Sequence, residues 1–173
     1  MKEKKYRIVL GSQSARRQQL LKGLDIDFEI KTLDNAEETF PADMSAGEVA
    51  SYLACRKAEA LQPLADDELL ITADTVVVVD GKIYGKPSDK EEAHSMLQTL
   101  SGRMHEVITG VAVTSAERSV LFAVSTKVWF THISTEDIDY YIERYRPFDK
   151  AGSYGIQEWI GFVGIERIEG SFY

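Results

Sequence analysis

Apolar positions along the chain recur at two spacings, one matching a strand and one matching a helix, and the two alternate from the N-terminus onward. Residues 7–10 (RIVL) are a short apolar run suited to a buried strand, followed by the polar GSQS and then good helix formers over residues 15–22. Gly23 is placed to stop that helix, and residues 26–31 alternate apolar and charged side chains like a half-buried strand. Residues 32–44 are polar and acidic and contain Pro41, which predicts a long loop. Ser45 with Glu48 three positions later forms a capping box that opens a helix through Leu61, with Val49, Leu53 and Ala60 on or near its apolar stripe.

The most apolar and β-branched run, residues 69–79 (LLITADTVVVV), predicts a central strand, and Asp80-Gly81 predicts a tight hairpin returning through residues 82–85. Ser88 with Glu91 is a second capping box, for a helix reaching about Leu100 before Gly102. Residues 107–113 and 120–131 read as two longer strands around a polar turn at 115–119, an antiparallel pair. Ser134 with Asp137 opens another helix, carrying Ile138, Tyr141 and Ile142 at helical spacing and ending at Arg146-Pro147. From Phe148 on, glycines and aromatics predict tight turns more than long elements. Trp129, Phe130, Tyr140 and Tyr141 read as core or interface aromatics. Crossovers mixed with hairpins predict an α/β fold with a mixed sheet flanked by helices.

With 173 residues, 44% of them hydrophobic, the chain can bury one substantial core, as one domain or a compact two-lobed one. Its net charge of -8, from 20 Lys+Arg against 28 Asp+Glu, argues against binding a nucleic-acid polymer, so any phosphate is met by a local basic cluster. Cys55 is the only cysteine, which leaves no intrachain disulfide and no cysteine-rich metal site, and it reads as a packing residue. The opening MKEKKYRIVLG is too short in apolar residues for a secretory signal, and no apolar run approaches membrane-spanning length. The expectation is a cytoplasmic protein with no membrane partner.

Chemistry concentrates in a few places. Residues 11–21 (GSQSARRQQLL) put Ser12, Ser14, Arg16 and Arg17 at the start of a helix directly after a strand. The first backbone N–H groups of a helix lack internal partners and carry partial positive charge, and guanidinium forks match phosphate oxygens. A cap with a solvated arginine pair is the plainer alternative, yet two arginines in a first turn oppose the helix dipole unless an anion or an acidic neighbour offsets them. Asp74 interrupts the apolar strand, where a carboxylate is costly unless paired, metal-bound or opened to a cleft. Thr75 lies on the opposite pleat face. Glu37 and Glu38 in the acidic loop are solubilising charges or hard oxygen donors for Mg²⁺. Lys57, late in its helix, reads first as a dipole partner. The hairpin brings Lys86 back toward the neighbourhood of Asp74, and Gln157, in a glycine-rich loop, can donate and accept at once. The three histidines share no ligand spacing, and GxxxxGK[ST], GxGxxG and GxSxG are all missing.

Taken together and in order, GSQSARRQQLL, TADTVVVVDGKIYGKP, LSGRMHEVITGVAV and DKAGSYGIQ resemble the Maf family of nucleoside triphosphate pyrophosphatases over most of the chain. The resemblance implies an elongated mixed sheet, two lobes with a central cleft, and kinship to inosine triphosphate pyrophosphatase-like folds, all within one Maf-like domain spanning residues 1–173. It implies hydrolysis of a nucleoside triphosphate to the monophosphate and pyrophosphate with a divalent cation, Mg²⁺ or Mn²⁺. By the same resemblance, Ser14, Arg16 and Arg17 meet the triphosphate or base, Glu38 and Asp74 serve the metal and water, and Lys57 and Lys86 bind phosphate. Asp74 matches the proton acceptor, either taking the proton itself or holding metal-bound water. Arg16, Thr75 and Gln157 match the specificity set of the dTTP and UTP branch, which extends the expectation to modified pyrimidines. A homodimer is a further expectation. Family members usually continue past the GSFY-like block into an asparagine-containing segment and a final helix, which are not found after Tyr173. The alternatives are a non-catalytic nucleotide-binding regulator of cell division and a purine (ITP or XTP) pyrophosphatase.

Overall fold

The computed structural model describes residues 6–32 and 39–173. Strand β1 (Arg7–Leu10) has two parallel neighbours, β2 (Phe28–Ile30) and β3 (Glu68–Val79). β3 also pairs antiparallel with β4 (Lys82–Tyr84) across the predicted Asp80-Gly81 turn, whose two residues have φ of 49° and 76°. Positive φ at both central positions is what a two-residue hairpin of this hand requires. β5 (Met104–Ser115) and β6 (Ser119–Phe130) are neighbours joined by a turn in which Ser115 N donates to Arg118 O at 2.8 Å. β7 (Ile165–Glu169) pairs antiparallel with β6. Among the described residues this makes a mixed seven-stranded sheet of order β2-β1-β3-β5-β6-β7, with β4 beside β3. The helices are α1 (Ala15–Lys22), α2 (Ala46–Ala60), α3 (Lys90–Leu100), α4 (Thr135–Tyr145) and the short α5 (Trp159–Gly164). The α/β class with a mixed sheet and flanking helices is therefore as the pattern predicts.

Contacts divide the chain into two compact units, one of Met1–Asp74, Thr109–Val124 and Tyr173, the other of Thr75–Ile108 and Ser125–Phe172. β3, β5 and β6 contribute residues to both, and on β3 the division falls between Asp74 and Thr75. In the first unit, Val9, Leu70 and Ala112 pack with Ala54, Ala58 and Leu61. Small residues at 54 and 58, one turn apart, form the face that α2 buries. Val49 and Leu53 are buried as expected, whereas Ala60, at the last helical position, is exposed. In the second unit, Val77, Val79, Val128 and Phe130 pack with Ala93, Leu97 and Leu100 of α3 and with Ile138, Tyr141 and Ile142 of α4. Each such large aliphatic side chain contributes about 1.5–3 kcal/mol by leaving water.

Local elements depart from the sequence expectations at three places. α3 is capped by Asp89, whose carboxylate accepts from Glu92 N at 2.8 Å, and not by Ser88 with Glu91; Ser88 instead donates from N and Oγ to Glu92 Oε2. The frame slips by one because the aspartate carboxylate can take the cap position one residue later. β2 covers only three of the six alternating residues. The glycine-rich end forms α5 and β7, not turns alone. Tyr140, read as core or interface, is 49% exposed and rests edge-on against Trp159, while Tyr141 and Phe130 are buried. β7 accompanies β6 only over residues 127–130, and Val120, Leu121, Phe122 and Val124 at the other end of β6 are exposed. No helix among the described residues is long and apolar enough to cross a membrane.

Candidate active site

The loop between β1 and α1 is built by its two serines. Ser14 caps α1 with its Oγ accepting from Arg17 N at 3.5 Å, as predicted. Ser12, which is buried, accepts through Oγ from Ser14 N at 3.2 Å and from Arg17 Nη1 at 3.4 Å. The Arg17 guanidinium is thus folded back onto the loop that precedes its own helix, and Arg16 beside it is half-buried. The first turn of α1 contains no acidic residue. Two cations therefore sit at the positive end of a helix dipole, an arrangement that costs about 0.3–1 kcal/mol per charge and that a bound anion reverses.

In the same unit, α2 and β3 bring Lys57 and Asp74 together. Thr72 and Asp74 share one face of β3, and Ala54 and Lys57 share one face of α2. Two bonds tie those faces: Thr72 Oγ1 donates to Ala54 O at 2.7 Å, and Lys57 Nζ donates to Asp74 Oδ1. The pair is mostly buried, with side-chain exposures of 17% and 9%. Lys57 is therefore not the solvated dipole partner that its place near the helix end suggests. It follows Leu53 by four positions, on the buried face. That spacing is visible in the sequence and was the signal that could have found it. Pairing is what lets a carboxylate lie in this apolar strand, since either charge alone would carry a penalty of several kcal/mol.

Thr75, Lys86 and Gln157 belong to the second unit. Thr75 is the next residue of β3 and is half-buried, on the opposite pleat face from Asp74. Lys86 is exposed and lies two residues past the Val77–Tyr84 pair, so the hairpin carries it in the direction of Thr75. The segment carrying Gln157 is held from several sides. Gly152 N donates to Gly85 O at 3.0 Å, next to Lys86. Tyr141, fully buried in α4, accepts from Gly155 N at 3.0 Å and donates to Glu158, which also pairs with Lys150 at 3.2 Å. Gln157 Nε2 donates to Phe172 O at 2.9 Å, whereas its Oε1 is shielded from water and has no hydrogen-bond partner among the described residues.

The site residues thus fall into two groups: Ser14, Arg16, Arg17, Lys57 and Asp74 in one unit, and Thr75, Lys86 and Gln157 in the other. Glu38 lies outside the described residues. Sequence reasoning missed the anchoring role of Ser12, which reads only as another capping serine, and the part Tyr141 plays through its hydroxyl. Tyr141 is legible as a core aromatic, but its partners are 14 and 17 positions away and no periodicity links them. Among the described residues no group of three or more His, Cys, Asp or Glu side chains is placed to hold a metal ion.

Comparison with known proteins adds an independent line. A dTTP/UTP pyrophosphatase of Porphyromonas gingivalis is 58% identical, over 98% of this chain and 87% of its own length. Proteins of the same name from Parabacteroides distasonis and Flavobacterium johnsoniae are 51% and 46% identical, over 98% and 99% of this chain and 89% and 88% of theirs. Among solved structures, a HAM1 protein from Coxiella burnetii aligns with a TM-score of 0.44 and 16% identity, over 72% of this chain and 73% of that one. The family profile described as Maf-like protein matches residues 7–173. With a match over nearly its whole length and relatives above half identity, the chain belongs to the Maf-like family.

Proposed function

We propose that this protein hydrolyses dTTP and UTP, including modified pyrimidine nucleotides, to the nucleoside monophosphate and pyrophosphate. The relatives that carry the dTTP/UTP pyrophosphatase name support the substrate. The observation that carries the chemistry is Asp74, a carboxylate residue buried within an apolar strand and joined to Lys57. In the proposed step the oxygen of a water forms a bond to the α-phosphorus while the bond to the bridging oxygen of the pyrophosphate breaks. Asp74 takes the proton of that water, and Lys57 holds the carboxylate oriented through its hydrogen bond to Oδ1. Arg17, fixed by Ser12, and Lys86 offset charge on the phosphate oxygens, with Ser14 as a further donor. Arg16, Thr75 and Gln157 discriminate the base.

The donor chemistry suits a hard divalent cation in a limited way. Mg²⁺ is commonly held by one or two carboxylates together with substrate phosphates. Asp74 supplies one such carboxylate, with Oδ1 already bonded to Lys57, and Glu38 is the proposed second. When bound, Mg²⁺ or Mn²⁺ would polarise the phosphoryl oxygens and acidify water.

The test is pyrophosphate release across a panel of nucleoside triphosphates, with Mg²⁺ or Mn²⁺ and after chelation, for the wild type and Asp74→Asn. The expected result is turnover of dTTP and UTP that depends on the cation and falls at least ~100-fold in the variant, the lower end for losing a general base. Binding of dTTP without pyrophosphate release would leave a nucleotide-binding regulator, and preference for ITP or XTP would leave a purine enzyme.

A further inference from the structure

Resting on the pyrimidine reading above, we propose that Gln157 meets the base as an acceptor only, taking the imide N–H of uracil or thymine on Oε1, and that Thr126 is the positioning residue that holds it so. A glutamine amide has a donor end and an acceptor end, and in isolation either can face a ligand. Here the choice is made by the protein. The Phe172 carbonyl can only accept, so the amide end at 2.9 Å from it is the NH₂, and the carbonyl end is the one left over. That oxygen is shielded from water with no partner among the described residues, so a donor brought by a ligand recovers a hydrogen bond that water does not supply.

Thr126 fixes the Phe172 carbonyl at one remove. β6 and β7 pair up to Lys127 and Glu169, and the next residue of β6 continues the attachment with its side chain. Thr126 Oγ1 donates to Ser171 O at 3.2 Å and accepts from Ser171 N at 3.0 Å, using its hydroxyl in both directions. The hydroxyl is mostly buried, with the residue 8% exposed. A single side chain thereby pins the residue before Phe172, and Phe172 in turn orients the amide of Gln157.

The chemistry of the base follows. Uracil and thymine present a donor at N3 between two acceptors, whereas cytosine presents a bare acceptor at N3. An acceptor that cannot flip favours the first pair and is left facing a lone pair with the second. Guanine and hypoxanthine also carry a ring N–H donor, beside one carbonyl, so this device separates pyrimidines from one another and does not by itself exclude purines.

The experiment compares kcat/KM for pyrophosphate release from UTP and from 3-methyluridine triphosphate, in which a methyl group replaces the N3 hydrogen. Wild type is expected to prefer UTP by about 10- to 100-fold, the range for leaving a shielded acceptor unpaired. Thr126→Val keeps the shape and removes the hydroxyl. It is expected to shrink that ratio at least about fivefold by lowering turnover of UTP alone, and Thr126→Ser is expected to restore it. Should Thr126→Val not fold, Gln157→Glu tests the same link, because it keeps an acceptor but sets a carboxylate oxygen against the Phe172 carbonyl; the ratio falls there too. Equal turnover of UTP and 3-methyluridine triphosphate by an active wild type overturns the role of Oε1. A Thr126→Val enzyme that loses both substrates in proportion overturns the positioning role. Failure of the wild type to release pyrophosphate from UTP at all overturns the pyrophosphatase reading on which the inference rests.

Discussion

Lys57 donates to Asp74 across the packed face between α2 and β3, one turn along the helix from the point where Ala54 receives the hydroxyl of Thr72. The two bonds lock helix to strand in one register, so the orientation of the proposed proton acceptor is set by the fold of its own unit. Replacing Lys57 by Met removes the cation and leaves the carboxylate buried beside an apolar chain. The expected loss is about 3–5 kcal/mol of stability, read from urea unfolding. Asp74→Asn keeps the shape and a neutral acceptor for Lys57 but removes its counter-charge, so it too is expected to lose stability; turnover per folded molecule, compared between the two variants, then separates the structural from the chemical part of the pair.

Gly152 has φ of 65°, and a Cβ there would lie 2.8 Å from Val77 Cγ2. Gly152→Ala therefore meets backbone strain and a clash together, and is expected to lower stability by about 2–4 kcal/mol in thermal or urea melts. Because the segment leads to Gln157, the UTP/CTP turnover ratio of whatever folded enzyme remains is expected to fall as well.

Tyr141→Phe deletes one oxygen from the core of the second unit. The variant leaves Gly155 N–H without its acceptor and leaves Glu158 only its pair with Lys150, at an expected cost of about 1–3 kcal/mol. Hydrogen exchange at Gly155 reports the effect directly: faster exchange of that amide is expected, with α3 amides little changed.

His105 is completely buried, with Nε2 2.7 Å from the Tyr154 hydroxyl, and burial pushes its pKa down to about 4. The neutral ring is the folded form. Above pH 6.5 the imidazole is neutral folded or unfolded and its contribution is fully present. As pH falls from about 6.5 toward 4 the unfolded chain takes up a proton that the folded chain refuses, so stability drops, by about 3 kcal/mol once both states are protonated. Unfolding free energies of wild type and His105→Gln, measured between pH 7 and 4.5, should converge on acidification, the variant having the flatter profile. Parallel profiles would show that this histidine does not titrate as its burial requires.

Much of the architecture is legible in the amino-acid order because it depends on neighbours. Apolar spacing marks the strands and helices, Ser14, Ser45 and Ser134 mark helix starts, and Asp80-Gly81 marks a hairpin, since each of these acts over four residues or fewer. Asp74 also stands out in the sequence, as a charge where only apolar residues belong. The capping frame at Ser88 fails for the same local reason: two overlapping frames compete, and the Asp89 carboxylate takes the Glu92 amide. α5 and β7 are missed because their six and five residues are too short to show a period. What the tertiary structure alone decides is which group answers which. Lys57 on Asp74, Arg17 on Ser12, Tyr141 on the Gly155 amide and Gln157 on the Phe172 carbonyl are meetings whose partners are set by packing geometry. A linear pattern can name a residue that requires a partner, but only the folded chain brings that partner within hydrogen-bonding distance.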